Sequence, residues 1–454
     1  MRALPSIDRV LAEDLFVEIE AQLGRDAAVR IAREAVAAVR SQIESPEDVD
    51  DGALMQQVID DARATLDKES STGVRRVINA TGVIIHTNLG RSPLSAPAIK
   101  AVAENASRYC ALEFDLGSGK RGRRGERAES LICQLTGAEA AVIVNNCAAA
   151  AFLTLKVLAA GTEVIISRGE LVEIGGDFRV PDVLAESGAV LREVGTTNRT
   201  KLADYEKAIG EHTGLILRVH PSNFRVIGFT AAPTNAELAG LADERGITFV
   251  EDAGSGALVD LSEYGLGDEP VIARSIADGV DVVLFSGDKL LGGVQAGFIV
   301  GKAKFVGKIR KHPLYRALRI DKLAYSAIEA TLNSYARGGH LEEVPTLRML
   351  SASPDEVLRR SRDLISGIGS GLKIEIIQGE SVVGGGSAPN AKPRSWLISI
   401  EREGATAEDL AVLLRRRPVP VVARISDDRL LLDLRTVFED EEAEVVSAVR
   451  ELAA

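Results

Sequence analysis

Between residues 140 and 300, short runs of β-branched and other apolar residues alternate with stretches of helical character, and this alternation restricts the fold more than any other feature of the sequence. The runs are AAVIV (140–144), EVIIS (163–167), AVLREV (189–194), LILRV (215–219), ITFVE (247–251), DVVLF (281–285) and GFIV (297–300). Between them, CAAAAFLTLKVLAA, YEKAIGEH and TNAELAGLADERG suit crossover helices. Strands that are apolar along their whole length are covered on both faces, so the expectation is an α/β domain whose mostly parallel sheet lies between helical layers. In such sheets ligands bind where strands end and helices begin.

The flanking regions read differently. In DAAVRIAREAVAAVRSQI the apolar residues Val29, Ala32, Val36, Val39 and Ile43 recur at steps of three and four, which places them on one helical face. Ser45-Pro46-Glu47-Asp48 breaks this run, a second helix follows through Leu54, Val58, Ala62 and Leu66, and Ser70-Ser71-Thr72-Gly73 reads as a linker. After residue 340, LKIEIIQ, WLISIE, VPVVARI and RLLLDLR read as strands, with helices at 406–417 and 438–453 and a loop at Gly384-Gly385-Gly386-Ser387. With 454 residues there is room for three domains. The expected division is a helical domain at 1–72, a large α/β domain at 73–340 and a small α+β domain at 341–454.

Several function classes drop out on composition. Cys110, Cys133 and Cys147 have neither disulfide-framework nor metal-site spacing, and fit a reducing compartment. The start MRALPSIDRV lacks an apolar signal core and no apolar run reaches about 18 residues, so a cytoplasmic protein without a membrane span is expected. The net charge of -12 argues against DNA binding over the whole surface. Charge is segregated, however: residues 1–70 carry eight Lys and Arg against sixteen Asp and Glu, whereas 71–127 holds Arg75, Arg76, Arg91, Lys120, Arg121, Arg123, Arg124 and Arg127.

Three strand ends carry the chemistry. In Asp281-Val-Val-Leu-Phe-Ser-Gly-Asp-Lys289-Leu-Leu-Gly-Gly293 a buried strand presents one lysine among glycines. A desolvated lysine offers a free amine, which Schiff-base formation with an aldehyde cofactor requires. In Ile247-Thr-Phe-Val-Glu-Asp252-Ala-Gly-Ser-Gly256 an acid ends another strand, where it can pair with the ring nitrogen of pyridoxal phosphate. In Val142-Ile-Val-Asn-Asn-Cys-Ala-Ala-Ala150 a strand runs into a helix start, so Asn146, Cys147 and Ala148 are placed to cradle a phosphate, with Ser286 adding a hydroxyl. Each feature taken alone has a bland reading as a surface lysine, a capping acid or close packing. Their order along one sheet is what points to a pyridoxal-phosphate enzyme of the large aminotransferase-like class.

Other signals are weaker. Gly117-Ser-Gly119-Lys-Arg-Gly122 spells a dinucleotide pattern in an arginine-rich loop without the acid that should follow, so a nicotinamide site is rejected. His86, His212, His220, His312 and His340 lack metal-ligand spacing, and no metal is expected. His86 and His220 are candidates for the neighbourhood of the cofactor, with a core or loop role as the default. Arg316 and Arg319, three apart on a helical turn, and the arginines at 121, 123 and 124 are candidate anion contacts.

With these residues in view, the chain resembles the bacterial selenocysteine synthase family, the L-seryl-tRNA(Sec) selenium transferases. The matching stretches are Arg2-Ala-Leu-Pro-Ser-Ile-Asp8, RVINATGVIIHTNLGRSPLS, SRGELVEIGGDFRVPD, EVGTTNRT, FSGDKLLGG, QAGFIVG, HPLYRALRIDKL, VVGGGS and LLLDLRTV, spread over nearly the whole length. The resemblance implies the aspartate-aminotransferase-like fold (fold type I). It implies that Lys289 holds pyridoxal phosphate as an aldimine, that Asp252 faces its ring nitrogen, and that the serine carried by tRNA(Sec) displaces the lysine. Elimination of the β-hydroxyl then gives aminoacrylyl-tRNA, to which selenium from selenophosphate adds, forming selenocysteinyl-tRNA(Sec). Arg91, Arg123, Arg316 and Arg319 match family positions near that donor. The resemblance also implies a tRNA-gripping N-terminal domain and a homo-oligomeric ring of dimers, a decamer. An acidic 1–70 region is an awkward partner for a phosphate backbone, so either its arginines share one face or the basic 71–127 region supplies contacts. Two rivals are a pyridoxal-phosphate β-eliminating lyase acting on a small amino acid or amino-sugar acid, and a non-catalytic RNA-binding scaffold.

Overall fold

The apolar runs of the middle region form one seven-stranded sheet in the computed structural model, which describes residues 4–42, 51–71, 73–175 and 178–453. Its strands are β1 (Ala140–Val144), β2 (Glu163–Ser167), β3 (Val190–Val194), β4 (Thr213–Val219), β5 (Thr248–Gly254), β6 (Val282–Ser286) and β7 (Gly297–Gly301). They lie in the order β1-β7-β6-β5-β4-β2-β3, and every pair is parallel except the two that β7 makes with β6 and β1. The period of two along each strand sends alternate residues to two separate cores. Ile143, Ile165, Ile216, Phe249, Val283 and Phe285 enter one, while Val142, Val164, Leu215, Val250, Val282 and Leu284 enter the other. Each such buried side chain contributes roughly 1.5–3 kcal/mol. This is the mostly parallel α/β architecture expected from the sequence.

By contact pattern the chain divides into two compact units, 1–76 and 77–454. The first is helical: α1 (Ile7–Val10), α2 (Asp14–Leu23), α3 (Arg25–Gln42) and α4 (Asp51–Ser71). Ala32, Val36 and Val39 of α3 pack with Leu54, Val58 and Ala62 of α4, along with Phe16 and Ile19 of α2. Ile43 and the Ser45–Asp48 break lie outside the described residues. The expected linker differs from the structure: α4 continues through Ser70 and Ser71, because the run RATLDKE before them favours a helix and nothing breaks it before Gly73.

Within the second unit, β8 (Lys373–Glu380), β9 (Arg394–Glu401), β10 (Arg424–Ser426) and β11 (Arg429–Asp433) form an antiparallel sheet ordered β8-β9-β11-β10. Asp427 and Asp428, at φ 51° and 55°, make the tight turn between β10 and β11. The expected single strand VPVVARI is two pieces, because its chain changes partners at Ala423: Val421 and Val422 pair instead with Ile78 and Asn79. Ile78 and Ala80 are thereby packed into the core of this smaller sheet, although they lie within the 73–340 stretch expected to form the large domain.

Candidate active site

β1, β5 and β6 are mutually parallel, so their C-terminal ends meet on one side of the sheet. The start of β7 lies between two of them: Gly297 pairs with both Val144 and Ser286, and a Cβ there would collide with the Asn146 carbonyl. Strand alternation puts Asp252 and Ser286 on the same face as Val250, Val282 and Leu284. The helix α5 (Cys147–Leu158) covers that face, with Ala149, Ala150 and Leu153 in the same core. Its first turn is capped by Asn146, whose side chain accepts the Ala149 N–H at 2.8 Å. The remaining free N–H groups of that turn point outward at the positive end of the helix.

Lys289 follows β6 in a short turn fixed from several sides. Gly287 N–H donates to Ala296 O (2.8 Å), Gly293 N–H to Gly287 O (2.8 Å) and Leu290 N–H to Ser255 O (2.9 Å). The Ser92 hydroxyl lies 2.8 Å from the carbonyl oxygens of both Asp288 and Lys289. The lysine is only 5% exposed. It lines a cavity of about 230 Å³ together with Arg91, Asn146, Cys147, Ala148, Asp252, Gly254, Ser286, Asp288 and Gln295. All six positions expected around the cofactor are therefore brought together on one cavity wall.

Burial pushes the Asp252 carboxyl above its usual range, and the Lys289 charge together with the Gly254 N–H (3.1 Å) pulls it back. The Cys147 thiol lies 3.6 Å from Asp252 Oδ1. Burial first, and the neighbouring aspartate second, hold that thiol well above the ordinary cysteine range, so it stays protonated and is no nucleophile.

The four arginines separate. Arg91, at φ 63° just after Gly90, reaches the cavity and pairs with Asp288 at 2.7 Å. Arg123, Arg316 and Arg319 do not line it. Arg316 lies on α6 (Pro313–Leu318) and Arg319 follows that helix. There the chain runs beside the end of β1, with Asn145 N–H donating to Leu318 O at 2.9 Å. Arg123 turns toward Glu129 (3.4 Å), whereas its neighbour Arg124 shares Glu113 with Arg121 and Arg319. The GxGxxG stretch forms a small hairpin, Phe114–Asp115 with Lys120–Arg121, and not a strand-to-helix turn.

Neither candidate histidine lines the cavity. His220 donates its backbone N–H to Asp252 O (2.9 Å) and faces a separate cavity with Glu170 and Arg218. Burial raises the Glu170 carboxyl to about 7 against the attraction of Arg218. Asp288 and Gln295 are lining residues that sequence reasoning missed. The position of Asp288 next to Lys289 was the available signal, but only the fold shows that it binds Arg91. Among the described residues no group of three or more His, Cys, Asp or Glu side chains is arranged to hold a metal. The buried amine, the Asp252 carboxylate, the helix N-terminal amides and a hydroxyl suit a small phosphorylated aldehyde with a basic ring, while the second carboxylate, Asp288, is taken up by Arg91.

Residues 77–438 match the family model described as L-seryl-tRNA selenium transferase, and residues 1–40 match that of the selenocysteine synthase N terminal region. A protein of Geobacter sulfurreducens named L-seryl-tRNA(Sec) selenium transferase is 47% identical, over 99% of this chain and 98% of its own. One of the same name from Clostridium perfringens is 45% identical over 100% and 98%. Among solved structures, D-glucosaminate-6-phosphate ammonia-lyase superposes with a TM-score of 0.59 at 23% identity, covering 85% of this chain and 98% of that one. This likeness shows a shared fold.

Proposed function

Because the chain belongs to the L-seryl-tRNA selenium transferase family, we propose that it converts seryl-tRNA(Sec) to selenocysteinyl-tRNA(Sec) with pyridoxal phosphate as cofactor and selenophosphate as selenium donor. The observation that carries this reading is the buried Lys289 amine sharing one cavity with Asp252 and the start of α5. When bound, pyridoxal phosphate supplies an aldehyde for an amine and an electron-poor ring that eases loss of the serine Cα proton and then of its β-hydroxyl.

The residues of this chain do the rest. Lys289 Nζ would hold the aldehyde group of the cofactor and, as a free amine, would serve as the base for the serine Cα proton. Asp252 would pair with the ring nitrogen, and a positive charge there would favour the carboxylate that burial disfavours. The amides of Cys147 and Ala148 and the Ser286 hydroxyl would hold the phosphate, with Asn146 ordering that turn as its cap. Arg91, oriented by Asp288, and Arg316 and Arg319 beside the end of β1 bind the selenophosphate anion, with Arg123 at the margin.

We assign tRNA binding to residues 1–72, catalysis to 73–340 and the small domain to 341–454. A cytoplasmic homo-oligomer, a ring of dimers, suits the exposed apolar side chains Leu116, Ile227 and Phe229, which a second copy would cover. No helix of the described residues is long and apolar enough to cross a membrane. The test is conversion of seryl-tRNA(Sec), but not seryl-tRNA(Ser), on addition of selenophosphate, followed by borohydride reduction and peptide mapping. A pyridoxyl label on any lysine other than Lys289 overturns the site.

A further inference from the structure

The turn that carries Lys289 is not held by the large sheet alone. Leu290, the next residue, donates its N–H to Ser255 O at 2.9 Å, and Ser255 directly follows β5, the strand that carries Asp252. The Ser255 side chain is fully buried and its hydroxyl donates to Glu269 Oε2 in a short hydrogen bond. The other oxygen of Glu269 accepts the Ala388 N–H at 2.6 Å. Ala388 ends the glycine loop of the smaller sheet, in which Gly384, Gly385, Gly386 and Ala388 have φ of 77°, 62°, 69° and 44°. A non-glycine residue in that region is strained, and the bond to a buried carboxylate is what holds it there. Glu269 is 7% exposed, so both of its bonds are shielded from water.

We propose that Glu269 is a positioning residue that couples the small-domain loop 384–391 to the turn bearing Lys289 and to the end of β5, which carries Asp252. The link runs from the Ala388 N–H through both carboxylate oxygens to Ser255, and from the Ser255 carbonyl to Leu290. The loop also walls, with His220, Phe224 and Arg225, a cavity of about 220 Å³. The inference rests on the reading that Lys289 carries the chemistry.

The test uses the full chain with Glu269→Ala, Glu269→Gln and Ser255→Ala. Glutamine keeps both links, since its carbonyl accepts from Ala388 and its amide donates to the Ser255 oxygen. Hydrogen exchange on cofactor-free protein is expected to show the Leu290 and Ala388 amides losing protection together in Glu269→Ala and Ser255→Ala, with Glu269→Gln close to wild type. In the loaded enzyme Glu269→Ala is expected to lower kcat for seryl-tRNA(Sec) by about 10²-fold with KM near the wild-type value, the loss typical of a slightly misplaced reacting group. Protection lost at Ala388 alone, or equally across the whole large sheet in all three variants, overturns the coupling. So does an unchanged kcat in Glu269→Ala. Should wild type itself fail to turn over seryl-tRNA(Sec), the substrate reading fails, while the exchange result still decides the coupling.

Discussion

At the ends of β5 and β6 the backbone does the positioning, whereas around Glu113 and Glu129 the side chains do. Asp252 and Ser286 lie where strand register puts them, and Lys289 where a glycine turn puts it. The arginines reach their places on long side chains, and acids hold them there: Asp288 holds Arg91, Glu113 holds Arg121, Arg124 and Arg319, and Glu129 holds Arg310 and Arg123. The difference teaches that the lysine, the acid and the helix start are fixed by backbone geometry, while the arginines are fixed by the acids they meet in space. Asp288 and Glu129 are buried, so drawing their arginines away would leave a carboxylate unpaired and out of water, whereas the exposed Arg121 contributes only about 0–1 kcal/mol through its pair with Glu113.

The sharpest break of this comparison is Lys289→Ala. It is expected to lower conversion of seryl-tRNA(Sec) by about 10²–10⁴-fold and to abolish visible cofactor absorbance, with the thermal midpoint little changed. Retained absorbance would mean that another amine holds the cofactor. Asp252→Ala should follow with a somewhat smaller loss of rate, read in the same assay.

Next come Arg316→Ala and Arg319→Ala. Each removes a charge-assisted contact and should weaken selenophosphate use by about tenfold or somewhat more while leaving cofactor loading intact. Donor saturation curves beside cofactor titrations check this. Equal loss of both properties would erase the contrast between the two regions.

A smaller effect concerns Glu170, whose carboxyl shifts from 4.5 to about 7. A raised carboxyl means that the folded state binds the proton more tightly than the unfolded chain. Stability from this group is therefore greatest below about 4.5, falls as pH rises to about 7, and is constant above. Glu170→Gln, which cannot ionise, should gain up to about 3 kcal/mol on wild type at pH 8 and much less at pH 5. Thermal melts at the two pH values measure it, and an equal difference at both would show that Glu170 is not buried as a neutral acid. The smallest effect is an order of alkylation at neutral pH: exposed Cys110 first, with the half-buried Cys147, whose thiol is held protonated, slow. Mass mapping over time gives the order.

Much of the fold was legible because strands and helices announce themselves by local period. The seven runs between 140 and 300 all became strands of one sheet, and the acid, the lysine and the helix start were found by where those runs stop. VPVVARI misled because a single apolar run serves two partners, one of them near residue 78. The tight grouping of arginines around Glu113 was invisible, since residues 113, 124 and 319 are joined only by folding.

By itself, then, the sequence determined the layered α/β architecture and which strand ends carry an amine, an acid and a helix start, because burial and backbone hydrogen bonding act on neighbours a few residues apart. Only the tertiary structure decided which acid holds which arginine, and that Glu269 links a small-domain loop to the lysine turn. Those partners lie up to 206 positions apart in the chain. A charge selects its partner by distance in space and loss of water, and neither is written in the spacing of residues.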